Sequence, residues 1–214
     1  MENGLIVNIS LARKFKNNLF IRNCWVISQS IVSFFKGKRQ FGQCESSVVL
    51  TPPYKVVNPR NIYIGPNVGI GHNAYISALN AKFICKGYTA IAENLTVHTG
   101  NHARVLGYYI TSIDESNKPE GYDYDVLIEE DVWIGSNVTI LAGVTIGRGV
   151  TVAAGTIVTK SMPPYCICAG VPARFIKFYW TIDEILQHES KLYPENQRYT
   201  RDYLQDIFDK YVKH

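Results

Sequence analysis

Two histidines lie four residues apart in the segment LTVHTGNHARV, at positions 98 and 102. Imidazole titrates near neutral pH, so either side chain could serve as a general base or as a metal ligand. Both could equally be polar residues at the end of a strand, with no chemical role. A third histidine, His72, lies in the polar segment IGHN. The elements that position these segments must decide between the three interpretations.

The composition of the 214-residue chain is that of a globular protein with one sizeable core. The net charge is +4, but the excess of basic residues lies within positions 1–40 and the remainder is slightly acidic. This balance does not indicate binding to nucleic acid. The five cysteines form no CxxC pair and no Cys/His pattern typical of zinc, which favours free thiols in the cytoplasm.

The N-terminal region contains one apolar segment, LFIRNCWVISQSIVSFF at 19–35. Polar residues interrupt it, and it is too short to span a bilayer. The region also lacks the features of a signal peptide. We expect a helical segment over residues 1–40 that packs on the protein, although its basic flanks could contact an anionic membrane surface.

The strongest pattern is a period of six residues. From residue 128 onward, aliphatic residues recur at 128, 134, 140, 146, 152 and 158. At eight positions along the chain, the third residue after the aliphatic one is Gly, Asn or Asp, which tolerate a left-handed backbone. These positions are Asn67, Asn73, Asn94, Asp131, Asn137, Gly143, Gly149 and Gly155. The period fits neither an α-helix nor a long strand, and it predicts a parallel β-helix with corners and 18 residues per coil.

Two interruptions and a C-terminal change complete the pattern. Earlier hexads begin at Ile64 and Ile91, and their offset predicts slippage around 80–90. The segment 103–127 has no period and contains four tyrosines, which favours an active-site loop.

After residue 178 we predict two helices over 179–214. Thr181 and Glu184 form a candidate capping box, Pro194 ends the first helix, and both helices cap the β-helix.

The segment VWIGSNVTILAGVTIGRGVTVAAGTIVTKSMPPYCICAGVPARFIK resembles the hexapeptide-repeat acyltransferases. Both WIG-x-N and GVPAR match the branch of galactoside, maltose and polysaccharide O-acetyltransferases and xenobiotic acetyltransferases. The similarity spans about 56–178. It implies a mainly β protein, with a left-handed parallel β-helix over 41–178. It also implies a homotrimer whose active sites lie between subunits.

The same resemblance implies roles for particular residues. His102, in the TGNH segment, matches the general base, and His98 is interpreted as a structural or supporting neighbour. Residues at donor positions would bind acetyl-coenzyme A, with the Ser136 amide or hydroxyl stabilising the oxyanion and no metal required. These donor positions are Trp133, Ser136, Ala154, Thr159, Lys160, Arg174 and Lys177. The weaker acceptor positions are His72, Asn73 and Asn101.

The resemblance therefore implies a cytoplasmic coenzyme A-dependent O-acetyltransferase that acts on a sugar hydroxyl, in the synthesis of bacterial surface polysaccharide such as capsule or O-antigen. Direct transfer needs only a positioned base, because a hydroxyl is a weak nucleophile and a thioester is already reactive. Three alternatives remain open. They are a xenobiotic acetyltransferase of the streptogramin or chloramphenicol type, a zinc enzyme like the γ-class carbonic anhydrases using His72, His98 and His102, and a non-catalytic structural β-helix.

Overall fold

A computed structural model of the chain describes residues 37–212. The helical segment predicted over 1–40 lies outside these residues except for Gly37–Gln40, which form a 3₁₀ turn. Within the part that is described, no helix is long and apolar enough to cross a membrane.

Three sheets form the faces of a left-handed parallel β-helix, and the chain visits faces A, B and C in turn. Face A consists of β1 Gln43–Cys44, β4 Ile62–Ile64, β7 Phe83–Gly87, β10 Val126–Glu130 and β13 Thr145–Ile146. Face B consists of β2 Val49–Leu50, β5 Gly69–Ile70, β8 Ala90–Ile91, β11 Trp133–Ile134, β14 Thr151–Val152, β16 Cys166–Ala169 and the antiparallel β17 Arg174–Phe178. Face C consists of β3 Tyr54–Val57, β6 Ala74–Ser77, β9 Thr96–His98, β12 Thr139–Ile140 and β15 Ile157–Val158. The predicted fold class is confirmed.

The core is a stack of inward aliphatic side chains. On face A, Ile64 pairs with Cys85, Cys85 with Ile128, and Ile128 with Ile146. Each of these four side chains is at most 1% exposed. Removing apolar surface from water stabilises the fold by roughly 25 cal/mol per Å². A continuous inward column therefore explains why the aliphatic positions recur without a slip after residue 128.

The corners lie where the sequence predicts them. All eight predicted positions have positive φ, from 54° at Asn67 to 80° at Gly143. Only Gly, Asn and Asp adopt this region at low cost, which is why these residue types recur. The corner prediction is confirmed at every position.

The predicted slippage has a structural cause at the corner where face C leads into face A, called here the C–A corner. Paired residues on successive coils are 18 positions apart at Ile128 and Ile146, but 21 apart at Ile64 and Cys85. The extra residues lie between β6 and β7. The longer interruption, between β9 and β10, leaves the β-helix at the same corner. Both departures from the period are therefore stacked at one place.

Two helices follow the β-helix, α1 Ile182–Leu192 and α2 Arg201–Val212. The predicted capping box is present, with Thr181 and Glu184 bonded reciprocally, and α1 ends before Pro194. These helices are anchored by Glu189, which is fully buried. Its Oε1 accepts hydrogen bonds from Arg148 at 3.0 Å and from the Tyr165 hydroxyl at 2.8 Å.

We expect the Arg148–Glu189 pair to contribute strongly to stability. Arg148→Met leaves the buried Glu189 carboxylate without its cation, which should lower the free energy of unfolding by about 3–5 kcal/mol. Arg201→Met is the control, since it removes the ion pair between Arg201 and Asp183. The side chains of these two residues are 59% and 78% exposed. Its cost should stay below about 1 kcal/mol. Urea denaturation measures both, and equal losses would contradict this account.

Candidate active site between two corners

Backbone hydrogen bonds stack one corner residue on the next where face B leads into face C. The amide of Asn94 donates to the carbonyl of His72 at 2.9 Å, and that of Asn137 donates to the carbonyl of Glu93 at 3.0 Å. Higher up, the amide of Gly155 donates to the carbonyl of Ser136 at 2.8 Å. The result is a column of side chains on successive coils, called here the B–C column: His72, Glu93, Ser136 and Ala154. Residues predicted to bind the acceptor and residues predicted to bind the donor thus share one corner.

Small residues shape the upper end of the B–C column. A Cβ on Gly135 would lie 2.7 Å from the backbone nitrogen of Ala154, so only glycine allows the coils to approach this closely. A Cβ on Gly155 would meet no atom within 4 Å, which marks open space beside Ala154. Arg174 pairs with Ala169 on the next layer of face B. The corner therefore offers open space beside Ala154, and Arg174 lies on the same face two strands beyond β14.

The Ser136 hydroxyl is engaged within the column. Its Oγ donates to Glu93 Oε1 at 2.7 Å. A serine hydroxyl carries one proton, so Ser136 cannot donate it to an oxyanion while this bond is present. The Ser136 backbone amide has no hydrogen-bond partner among residues 37–212 and is the donor that remains available.

Glu93 is a site residue that sequence reasoning missed. The hydrogen bond from Ser136 is the largest cause that lowers its pKa, and the charge of His72 lowers it further. Glu93 is therefore a carboxylate at neutral pH, beside the open part of the column. Its position immediately before the corner Asn94 matches that of His72 and of Ser136 in their own hexads, and this was the available signal.

His102 lies at the other end of face C, at the C–A corner, and its side chain is exposed. The segment before it is well anchored. Thr99 is fully buried and its hydroxyl donates to the carbonyl of Ala81 at 3.0 Å. The backbone amide of Asn101 and its side-chain amide both donate to the carbonyl of Tyr122, at 3.1 and 3.2 Å. Asn101 thus ties His102 to the returning end of the loop.

The two corners flank face C and are far apart within one chain. The chain crosses face C from the corner at Asn94, through β9, to Thr99, and five steps of about 3.3 Å span roughly 16 Å. His102 and Ser136 therefore do not reach one reacting group in a single chain. His98 lies between the corners on β9, where its ring centroid is 5.6 Å from that of Tyr75.

The remaining predicted donor residues are dispersed. Thr159 and Lys160 directly follow β15, at the same corner as His102. Lys177 pairs with Ile167 on face B. Trp133 is 59% exposed and borders a shallow groove of about 670 Å³ on the outer surface of face B. The structure thus stacks Ser136 and Ala154 at one corner. Trp133 and Arg174 lie on strands of face B, and Lys160 lies at the other corner.

The three histidines of the zinc alternative are also separated, with His72 and His102 at different corners. Among residues 37–212, no three side chains of His, Cys, Asp or Glu converge on a common point that could hold a metal ion.

Comparisons with known proteins point to one family. A family model described as bacterial transferase hexapeptide (six repeats) matches residues 125–160. A Saccharomyces cerevisiae protein named as a candidate acetyltransferase is 33% identical over 138 residues, which cover 64% of this chain and 65% of that protein. The galactoside O-acetyltransferase of Escherichia coli is 36% identical over 113 residues, which cover 53% of this chain and 55% of that protein. The chain thus spans less than two thirds of the length of these curated relatives.

A solved structure is similar over a larger share of the chain. The hexapeptide-repeat acetyltransferase VCA0836 from Vibrio cholerae, in complex with acetyl-coenzyme A, is 28% identical with a TM-score of 0.59. The match covers 67% of this chain and 74% of that chain.

We predict that the Glu93 carboxyl reports on the Ser136 hydroxyl. Ser136→Ala removes the largest cause that lowers its pKa, so the pKa should rise toward the ordinary glutamate value. His72→Gln removes a minor cause and should raise it less. Carbon-detected NMR titration of the carboxyl group measures both shifts. An unchanged Glu93 pKa in Ser136→Ala would show that the hydrogen bond is absent in solution.

Proposed function

We propose that the chain is a member of the hexapeptide-repeat acyltransferase family and that it transfers an acetyl group from acetyl-coenzyme A to a hydroxyl group of a sugar. The observation that carries this proposal is the pair of corners that flank face C, with an exposed histidine on one and the open upper end of the B–C column on the other. The named donor of the Vibrio cholerae complex and the named acceptor of the Escherichia coli relative support the two substrates.

The donor fits the B–C column. The open space beside Ala154 and Gly155 suits a slender pantetheine arm, and Arg174 and Lys177 on β17 suit phosphate groups. Because its hydroxyl proton is directed at Glu93, Ser136 presents the oxygen lone pairs of that hydroxyl and its free amide to the ligand. The amide is the group we assign to stabilising the oxyanion.

His102 is the proposed general base. It accepts the proton of the acceptor hydroxyl while the hydroxyl oxygen forms a bond to the acetyl carbonyl carbon. When the carbon–sulfur bond breaks, His102 returns that proton to the departing sulfur, so the enzyme ends unchanged. No covalent bond to the protein is formed.

Under this proposal, a second subunit brings a His102 to the B–C column, because the two lie at different corners of one chain. We therefore place each active site between neighbouring chains of a homotrimer, with His102 from one chain facing the column of the next. In this arrangement Thr159 and Lys160, which share the corner of His102, would approach the donor bound to the neighbour. His72, Asn73 and Asn101 are proposed to contact the acceptor.

The acceptor class and compartment are the finer parts of the proposal. A saccharide acceptor suits a role in bacterial surface-polysaccharide synthesis. The free thiols of Cys85, Cys166 and Cys168 suit the reducing cytoplasm. The proposed membrane contact of the N-terminal segment falls outside the described residues.

The test combines donor binding with turnover. At 100 times its Kd, acetyl-coenzyme A should stabilise the folded protein by about 2.7 kcal/mol, or roughly 5–10 °C in Tm. His102→Ala should keep this shift and lose roughly 10²–10⁴-fold in kcat with a galactoside acceptor. His188→Gln is the control, since His188 lies on α1 near Asp131 and should leave kcat unchanged.

Two results would contradict the proposal. If millimolar acetyl-coenzyme A causes no Tm shift in folded protein, acetyl-coenzyme A is not the donor. If His102→Ala retains full turnover, His102 is not the general base. Acetylation of streptogramin or chloramphenicol antibiotics in place of sugars would assign the xenobiotic alternative.

A further inference from the structure

The two departures from the six-residue period meet at the C–A corner, directly beneath His102. The longer turn between β6 and β7 carries Asn80, and the loop between β9 and β10 carries Lys118 and Asp123. We call the cluster of Asn80, Glu115, Lys118 and Asp123 the loop clamp. It joins two segments that are 43 residues apart at Asn80 and Asp123.

The loop clamp is built around one nearly buried ammonium group. The side chain of Lys118 is 9% exposed, and its Nζ lies 2.7 Å from Asp123 Oδ2 and 2.9 Å from Glu115 Oε2. Asn80 Nδ2 donates to the same Asp123 oxygen at 3.0 Å and also to Glu115. Each carboxylate therefore has two donors, one from the loop and one from the neighbouring coil.

Asp123 packs directly against the segment that leads to His102. Its Oδ1 lies 2.4 Å from where a Cβ on Gly100 would be, so a larger residue at position 100 would displace the carboxylate. Gly100 and Asp123 form an antiparallel bridge. On either side, the amide of Tyr124 donates to the carbonyl of Thr99 at 2.8 Å, and that of Asn101 donates to the carbonyl of Tyr122 at 3.1 Å.

The residues after His102 are held by the same returning segment. Ala103 is 1% exposed, and the Tyr122 hydroxyl donates to the carbonyl of Arg104 at 3.2 Å. Beyond them the loop is open, with Leu106 99% exposed and Tyr109 83% exposed. Ordering a backbone residue costs about 1–2 kcal/mol, so an exposed loop holds a fixed geometry only where contacts stabilise it.

We propose that Lys118, Asp123 and Asn80 are positioning residues for the acetyl transfer, which lock the segment 122–124 against 99–101 and thereby fix His102. The inference rests on the proposed role of His102 as the base. None of the three residues is assigned to the reacting atoms. A misplacement of about 1 Å at a reacting group can cost on the order of 10²-fold in rate, so the clamp should act on kcat.

The test removes the ammonium and keeps most of the side-chain volume. In Lys118→Met, two carboxylates lose their cation, and kcat should fall by roughly 10- to 100-fold while the Kd of acetyl-coenzyme A stays within about twofold. Lys118→Arg retains the charge and can bond both carboxylates, so it should recover most of kcat. Lys86→Met is the matched control, because it removes the Lys86–Glu129 pair of face A, at 2.6 Å, outside the loop.

A second readout needs no substrate. Amide hydrogen exchange at Asn101 and Tyr124 should become at least about tenfold faster in Lys118→Met and stay unchanged in Lys86→Met, because the clamp stabilises both hydrogen bonds.

Unchanged exchange, or faster exchange with an unchanged kcat, would overturn the inference. A wild-type protein that binds acetyl-coenzyme A but acetylates no acceptor would refute the proposed function and the positioning role with it. The exchange result would then show separately whether the clamp exists.

Discussion

The structure depends on one constraint, the registered stacking of each coil on the coil below. Parallel backbone hydrogen bonds set neighbouring strands about 4.8 Å apart, and a shift of one residue would turn every inward side chain outward. The inward aliphatic column makes such a shift costly, since residues such as Ile134 and Ile140 are fully buried. This register determines the positions of the corners, the faces and the candidate site.

Stacking turns sequence distance into spatial contact. Ser136 bonds to Glu93 across 43 residues because the loop between them leaves the β-helix and returns to the same corner without changing the register. The loop can therefore contain functional residues without disturbing the stacking of the coils. The two insertions into the six-residue period lie at the C–A corner, and that is where His102 and the loop clamp lie.

The hexads predicted most of the fold, because each position in the repeat has one physical role. Asn73 and Gly149 have the predicted positive φ, and Thr181 begins α1 as its capping box indicates. The Ser136–Glu93 bond was not predictable, since the slippage and the loop hide which coils are neighbours. The loop clamp was not predictable either, because residues 103–127 have no period. Residues such as Lys160 and Ser136 are implied for one ligand yet lie at different corners, which the proposed assembly of several chains would explain.

The most direct test of an active site shared between chains is subunit complementation. Chains with His102→Ala lack the base, and chains with Ala154→Trp have the exposed space beside the B–C column filled. Each variant alone should be inactive. When equal amounts are refolded together, random assembly should give about a quarter of all sites an intact His102 from one chain and an intact column from its neighbour, and these sites should regain acetyl transfer. If the mixture shows no more activity than the separate variants, the two corners do not meet between subunits and the account is wrong.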